Sequence, residues 1–131
     1  MEDVFYCFWF RFIFKYAYIL EIENYDKVRE IVRRDYDTFS GLMLERYFHR
    51  VAVESGRWTR IGRWWDRKGE NEIDMIAEDE LSESVAFFEI KRQSDNINPA
   101  ELERRSNCFL AATHRFNGYD IARQGLSLED M

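Results

Sequence analysis

Two short phrases hold the residues best suited to joint chemistry. Asp74 lies in EIDMIA (72–77); fifteen positions later comes Glu89, and Lys91 follows it inside FFEIKR (87–92). Carboxylates are the oxygen ligands that a hard divalent cation such as Mg²⁺ takes. A lysine two residues beyond a glutamate shares its face of a strand, which brings an ammonium within reach of the same centre. There it can orient or activate water and stabilise charge developing on a phosphate. The pattern suits a divalent-cation site acting on a phosphate. Other chemistries lack their residues. Neither GxxxxGK[ST] nor GxGxxG occurs to cradle nucleotide phosphates, and GxSxG is absent. His49 and His114 alone do not make a zinc cluster.

Each residue also has a plainer reading. Asp74 can be an edge or turn-facing charge, although EIDMIA leaves it awkward without a partner. Glu89 stands between Phe88 and Ile90 in an apolar strand, where an unpaired carboxylate costs several kcal/mol, on the order of an uncompensated charge. It needs a partner, and a structural pair with Lys91 or an arginine is the rival to metal ligation. Gln93 either supports the site or is simply exposed, and His49, one turn after Glu45, is either its neighbour or, more in keeping with a lone histidine, a surface residue.

The elements that would position these residues follow a mixed α/β order. Val28, Ile31 and Val32 at helical spacing after Asp26, an N-cap candidate, predict a helix over 27–36. After a TFSG turn (38–41), a second helix carries the stripe Met43, Leu44, Tyr47, Phe48 and Val51, with Glu45 at its rim. Residues 58–65 read as a strand, DRKGEN (66–71) as a turn, and 72–78 as the returning strand. An acidic turn at 79–83 leads to a third strand, 84–92. Regular alternation puts Glu72, Asp74 and Ile76 on one face of the second strand. Antiparallel pairing would then let Asp74 and Glu89 meet on a common face. Beyond Asn98-Pro99 a helix spans 100–113, with Leu102, Cys108, Phe109 and Ala112 as buried candidates and Pro99 in the first turn. Residues 118–127 read as a last short strand and turn. The predicted fold class is α/β (α+β): a central mixed sheet of about four strands flanked by helices, behind an aromatic-rich N-terminal helical extension over 1–36.

Composition bounds the partners. The chain has 131 residues, 46% of them hydrophobic and 17% aromatic, enough for a packed core and far from a disordered chain. A formal net charge of −6 excludes a histone-like basic binder but not a local basic patch. One such patch is the ribbon of Arg57, Arg60, Arg63, Arg67 and Lys68, interleaved with Trp58, Trp64 and Trp65. Basic residues track phosphates and exposed aromatics stack on bases, so the ribbon is a nucleic-acid candidate; equally, the tryptophans can be core and the arginines its solvated rim. Residues 69–88 hold seven acids and no base, which suits a cation site or an ordinary acidic turn. Cys7 and Cys108 read as reduced core residues of a cytoplasmic protein. The run Val4 to Leu20 is interrupted by Arg11 and Lys15, so it does not read as a membrane span, and Glu2 and Asp3 argue against a secretory signal. Nine of its seventeen residues are aromatic, which suits packing against another surface.

Asp74 followed by Glu89-Ile90-Lys91 resembles the PD-(D/E)XK nuclease signature, and the element order is similar to that superfamily's restriction-endonuclease-like core. The resemblance implies that an acid on the preceding helix joins the site, and Glu45 is the matching residue. More narrowly, FWFRFIFKY (8–16), TFSGLMLERYF (38–48), RIGRWWDRKGENEIDMIA (60–77) and FFEIKR (87–92) resemble the C-terminal domain of unknown function of archaeal-type AAA+ ATPases, found also in Bacteroidetes. This similarity runs over essentially the whole chain. Members place a P-loop ATPase and a winged helix before this domain; this chain carries neither, so ATP-driven work would belong to residues outside it.

Together these imply a nuclease-like domain over 37–131, with Asp74, Glu89 and Glu45 holding Mg²⁺ or Mn²⁺ and Lys91 assisting the attacking water. DNA is the expected substrate, with Arg60, Arg63, Arg67 and Lys68 as its contacts. The alternative is a non-catalytic module of the same fold, serving partner binding, DNA binding, or self-association through the aromatic N-terminal segment.

Overall fold

The structure is a computed structural model and describes residues 4–131; Glu2 and Asp3 lie outside it. The chain divides into two compact units, Met1–Met43 and Leu44–Met131.

In the first unit, α1 (Val4–Phe8) runs into a π-helical turn (Trp9–Phe14), followed by α2 (Ala17–Glu21) and the opening of α3 (Tyr25–Glu54). Phe12 is fully buried, its ring 5.0 Å from that of Phe8 and 5.4 Å from that of Phe39. Arg11 pairs with Asp35 at 3.7 Å. The remaining aromatic faces point outward: Phe5, Tyr6, Trp9, Phe10, Phe14 and Tyr18 are exposed. Among the described residues no helix is long and apolar enough to cross a membrane.

The two helices expected around a TFSG turn are one. Helix α3 continues through 38–41 without a break. A single interior glycine costs only about 1 kcal/mol against alanine, and no proline interrupts the segment. Ser40 Oγ returns its hydrogen to the Asp37 carbonyl at 3.2 Å, which suits a hydroxyl inside a helix. Buried Phe39 and Leu44 on either side anchor the run. The cap also moves: Asn24 Oδ1, not Asp26, accepts from the Lys27 amide at 3.4 Å.

The second unit is a four-stranded sheet in the order β1-β2-β3-β4, with β1 (Arg60–Trp65), β2 (Glu72–Asp79), β3 (Ser84–Ile90) and β4 (Asp120–Leu126). The first three form the expected antiparallel meander. β4 pairs parallel to β3, which requires a crossover, and α4 (Pro99–Thr113) supplies it. Leu44, Phe48 and Ala52 of α3 pack on Met75, Ala77, Ala86, Phe88 and Ile90. On the other side Leu102 of α4, with Phe116, packs on Ile73, Ile76, Val85 and Phe87. Tyr47 and Val51 of the predicted stripe are exposed, Ala52 taking the buried position. Cys108 and Ala112, expected in the core, are also exposed, and Cys7 is half-buried.

Two local features set up the site. Gly62 lies opposite Ile76 but Trp64 opposite Ile73, so β2 advances three residues while β1 advances two. This is a bulge at Asp74–Met75, and it breaks the regular alternation expected of the strand. Ile73 and Ile76 consequently share the α4 side, with Met75 and Ala77 on the α3 side. The second feature is Gly125, the β4 partner of Glu89. A Cβ there would lie 2.4 Å from Ile97 Cγ2, so only glycine lets the 96–98 segment close against the sheet.

Candidate functional site

The bulge gives Asp74 its role. The β2–β3 pairing runs from Asp79↔Ser84 to Met75↔Phe88. Past that pair, the Ile90 N–H donates to Asp74 Oδ2 at 2.8 Å, so a side chain takes the place of a backbone acceptor. Asp74 is half-buried there.

Glu45, one residue into the α3 segment of this unit, sits under the same end of the sheet. Its Oε2 is buried and accepts no hydrogen bond among the described residues; Arg63 Nη2 of β1 approaches it to 3.4 Å as an ion pair. Burial pushes the Glu45 carboxyl above its ordinary range, and the neighbouring charge of Asp74 pushes it further. Glu72 adds to this, whereas Arg63 and Lys91 oppose it. Lys91 follows β3 directly, and its N–H donates to the Leu126 carbonyl at 3.0 Å. Asp74 and Lys91 therefore both lie within electrostatic reach of Glu45.

Glu89 stands differently. Its neighbours Phe88 and Ile90 face α3, and its own Oε2 accepts the Asn98 N–H at 2.9 Å, at the start of α4. Asn98 in turn caps α4, its Oδ1 accepting from the Glu101 amide at 3.2 Å. The rival partners Lys91 and arginine are thus replaced by a helix N-terminus, where backbone N–H groups favour an anion. Asp74 and Glu89 do not share the face that regular alternation would give them. Gln93 and His49 are both exposed.

The ionisation state of Glu45 has a measurable consequence. Its raised value means that the ionised form is worse tolerated in the fold than in the unfolded chain. The resulting stability is present below the ordinary value of 4.5 and is lost as pH rises through the raised one. Glu45→Gln is therefore expected to raise the thermal midpoint at neutral pH by a few degrees, about 1 kcal/mol, with no gain below about pH 4. Calorimetric melts across that range check it.

The residues fit a hard cation in part. Glu45 Oε2 is an acceptor lacking a hydrogen-bond donor beside a second carboxylate, the arrangement that a divalent ion relieves. Among the described residues no three His, Cys, Asp or Glu side chains group as ligands. Mg²⁺ is nonetheless commonly held by one or two carboxylates, with waters and substrate phosphate completing its shell.

The basic ribbon splits. Arg60 lies 3.9 Å from Glu78 and 3.5 Å from Glu80, and Arg63 turns to Glu45. Trp58 and Trp64 pack against the two cores, whereas Trp65 is exposed. Arg67 and Lys68 sit exposed on the hairpin turn, whose shape Asp66 holds by accepting from Glu70 N and Asn71 Nδ2.

Residues 9–104 match a protein family, DUF234, described as archaeal and bacterial proteins of unknown function. The chain belongs to this family. The match takes in Glu45, Asp74, Glu89 and Lys91 and ends within α4. The uncharacterized protein MJECL04 of Methanocaldococcus jannaschii is 32% identical over 98 residues, covering 70% of this chain and 21% of that protein. This chain thus spans about a fifth of that curated relative's length. No solved structure matches.

In this DUF234 domain, sequence reasoning overlooked two partners of the site. Arg63, expected as a nucleic-acid contact, also pairs with Glu45. Glu72 contributes to the same field. Neither role has a spacing signature, because both depend on the bulge that sets β1 against β2.

Proposed function

We propose that this domain is a metal-dependent nuclease of the PD-(D/E)XK type, hydrolysing phosphodiester bonds of DNA. In this reading it works in the cytoplasm as the effector end of an AAA+ ATPase-like protein. The observation that supports the reading is the buried oxygen of Glu45, which accepts no hydrogen bond among the described residues and feels the charges of both Asp74 and Lys91.

Glu45 and Asp74 would hold Mg²⁺ or Mn²⁺; Glu89, whose Oε2 accepts the Asn98 amide on the α4 side, is the third expected ligand, to be tested by substitution. The ion would polarise the phosphate and acidify a bound water. The chain's own groups do the rest. Lys91 orients the water and stabilises negative charge on the phosphate, and Arg63 keeps Glu45 turned toward the sheet. Asp74 stays fixed because the Ile90 amide holds its other oxygen. The exposed aromatic face of the first unit favours a second reading, a module that associates with a partner or with itself.

Titration calorimetry separates the two. Mn²⁺ and Mg²⁺ are expected to bind the chain with one site, and Asp74→Ala to remove that binding. A flat titration at millimolar metal would overturn the nuclease reading in favour of the association module.

A further inference from the structure

The α4 side of the sheet carries a recess separate from Glu45 and Asp74. It has a volume of about 180 Å³ and opens between edge strand β1 and the end of α4. Ile76, Phe109 and Phe116 supply its apolar wall. Glu78, only 3% exposed, accepts a hydrogen bond from Arg115 and lies 3.9 Å from Arg60. The buried carboxylate thereby fixes two guanidinium groups, and that of Arg115 lies over the Phe116 ring, 4.9 Å from its centroid. Gly62 lines the opening, and a Cβ there would meet nothing within 4 Å.

The size and chemistry of this recess restrict its occupant. Pockets for cofactors and drug-sized ligands run to ~300–1,000 Å³, so this one suits a single ring system. Three arginines line the recess, and each has an acid: Glu78 and Glu80 offset Arg60 and Arg115, and Glu45 offsets Arg63, leaving the walls close to neutral. A free anion gains little there. A flat, polar-edged ring gains more, because aromatic rings and guanidinium planes are the surfaces on which unpaired bases stack. A base inside a duplex cannot enter.

We infer that this recess holds one unpaired nucleobase of a single-stranded DNA passing along β1. The inference rests on the nuclease reading and names its substrate class. β1 is the shared wall: Gly62 opens onto the recess, and the adjacent Arg63 reaches Glu45 on the opposite side. A strand lying along this edge would carry its next phosphate toward the carboxylates.

Fluorescence anisotropy tests this with the full chain in excess chelator, so that no cleavage occurs. A short single strand is expected to bind about tenfold more tightly than an abasic sugar-phosphate strand of equal length, or than a blunt duplex of the same sequence. Gly62→Leu places a side chain at the opening, where a Cβ meets nothing within 4 Å, and should reduce the single strand to the abasic level while melting like the unaltered chain. Equal binding of the normal and abasic strands overturns the inference, and that comparison needs no variant. So does undiminished binding by a folded Gly62→Leu. Base-dependent binding without a metal site would sink the nuclease reading and leave the recess standing. A metal site with base-independent DNA binding would do the reverse.

Discussion

Asp74→Asn and Lys91→Ala are expected to lose metal-dependent DNA cleavage by at least about a hundredfold, the scale seen when one group that stabilises transition-state charge is removed. Their thermal midpoints should stay within a few degrees of the unaltered chain. Asparagine is the sharper choice at position 74, because Oδ2 accepts the Ile90 N–H and an amide oxygen can keep that bond while the charge disappears. At position 91 the backbone contact to Leu126 survives replacement by alanine, so the variant loses the ammonium and little else. The assay follows cleavage of single-stranded and duplex DNA with Mn²⁺ and Mg²⁺, alongside a melt of each variant. Full cleavage by both folded variants would sink the proposed chemistry.

What was legible in the sequence had a local physical cause. Asn98-Pro99 announces α4, because the asparagine side chain caps the helix and proline lacks only an amide that a first turn leaves unused. DRKGEN announces the hairpin because Asp66 can satisfy the turn's donors and Gly69 takes a φ of 70°. The features that escaped are those decided by partners far along the chain. Helix α3 runs through 38–41 because buried Phe39 and Leu44 outweigh one glycine. The β2 bulge carries no glycine or proline to mark it and exists only as a mismatch with β1. It moves Ile73 to the α4 side and frees Asp74 to bond across to Ile90. Glu45, Asp74 and Lys91 could therefore be named from residue type and resemblance, but not the face on which they gather.

Glu89 shows why the remaining carboxylate must be probed with two substitutions. It is 6% exposed, and its acceptor bond from Asn98 ties β3 to the N-terminus of α4. That contact depends on Gly125, since any larger residue would push Ile97 and the segment leading to Asn98 off the sheet. Glu89→Ala removes a charged acceptor and takes away the partner of the part-buried Asn98 amide, at a cost of roughly 2–3 kcal/mol. For a domain of this length the midpoint should fall by about 10 °C. Lost cleavage in that variant would therefore report a weakened fold as much as a missing ligand. Glu89→Gln keeps the size and one acceptor oxygen, so it should melt well above Glu89→Ala while lacking the charge that a cation requires. Metal titration of the glutamine variant then decides the role. Binding abolished in a well-folded Glu89→Gln makes Glu89 a ligand that also anchors α4. Binding equal to that of the unaltered chain makes it an anchor alone and leaves the ion to Glu45 and Asp74. Glu45→Gln is expected to shift stability in the opposite direction at neutral pH, because there the fold is relieved of a carboxylate that it solvates poorly. Opposite effects on the melt, from a buried acid satisfied by a helix and a half-buried acid left without a hydrogen bond among the described residues, are what a structural anchor and a functional group should produce.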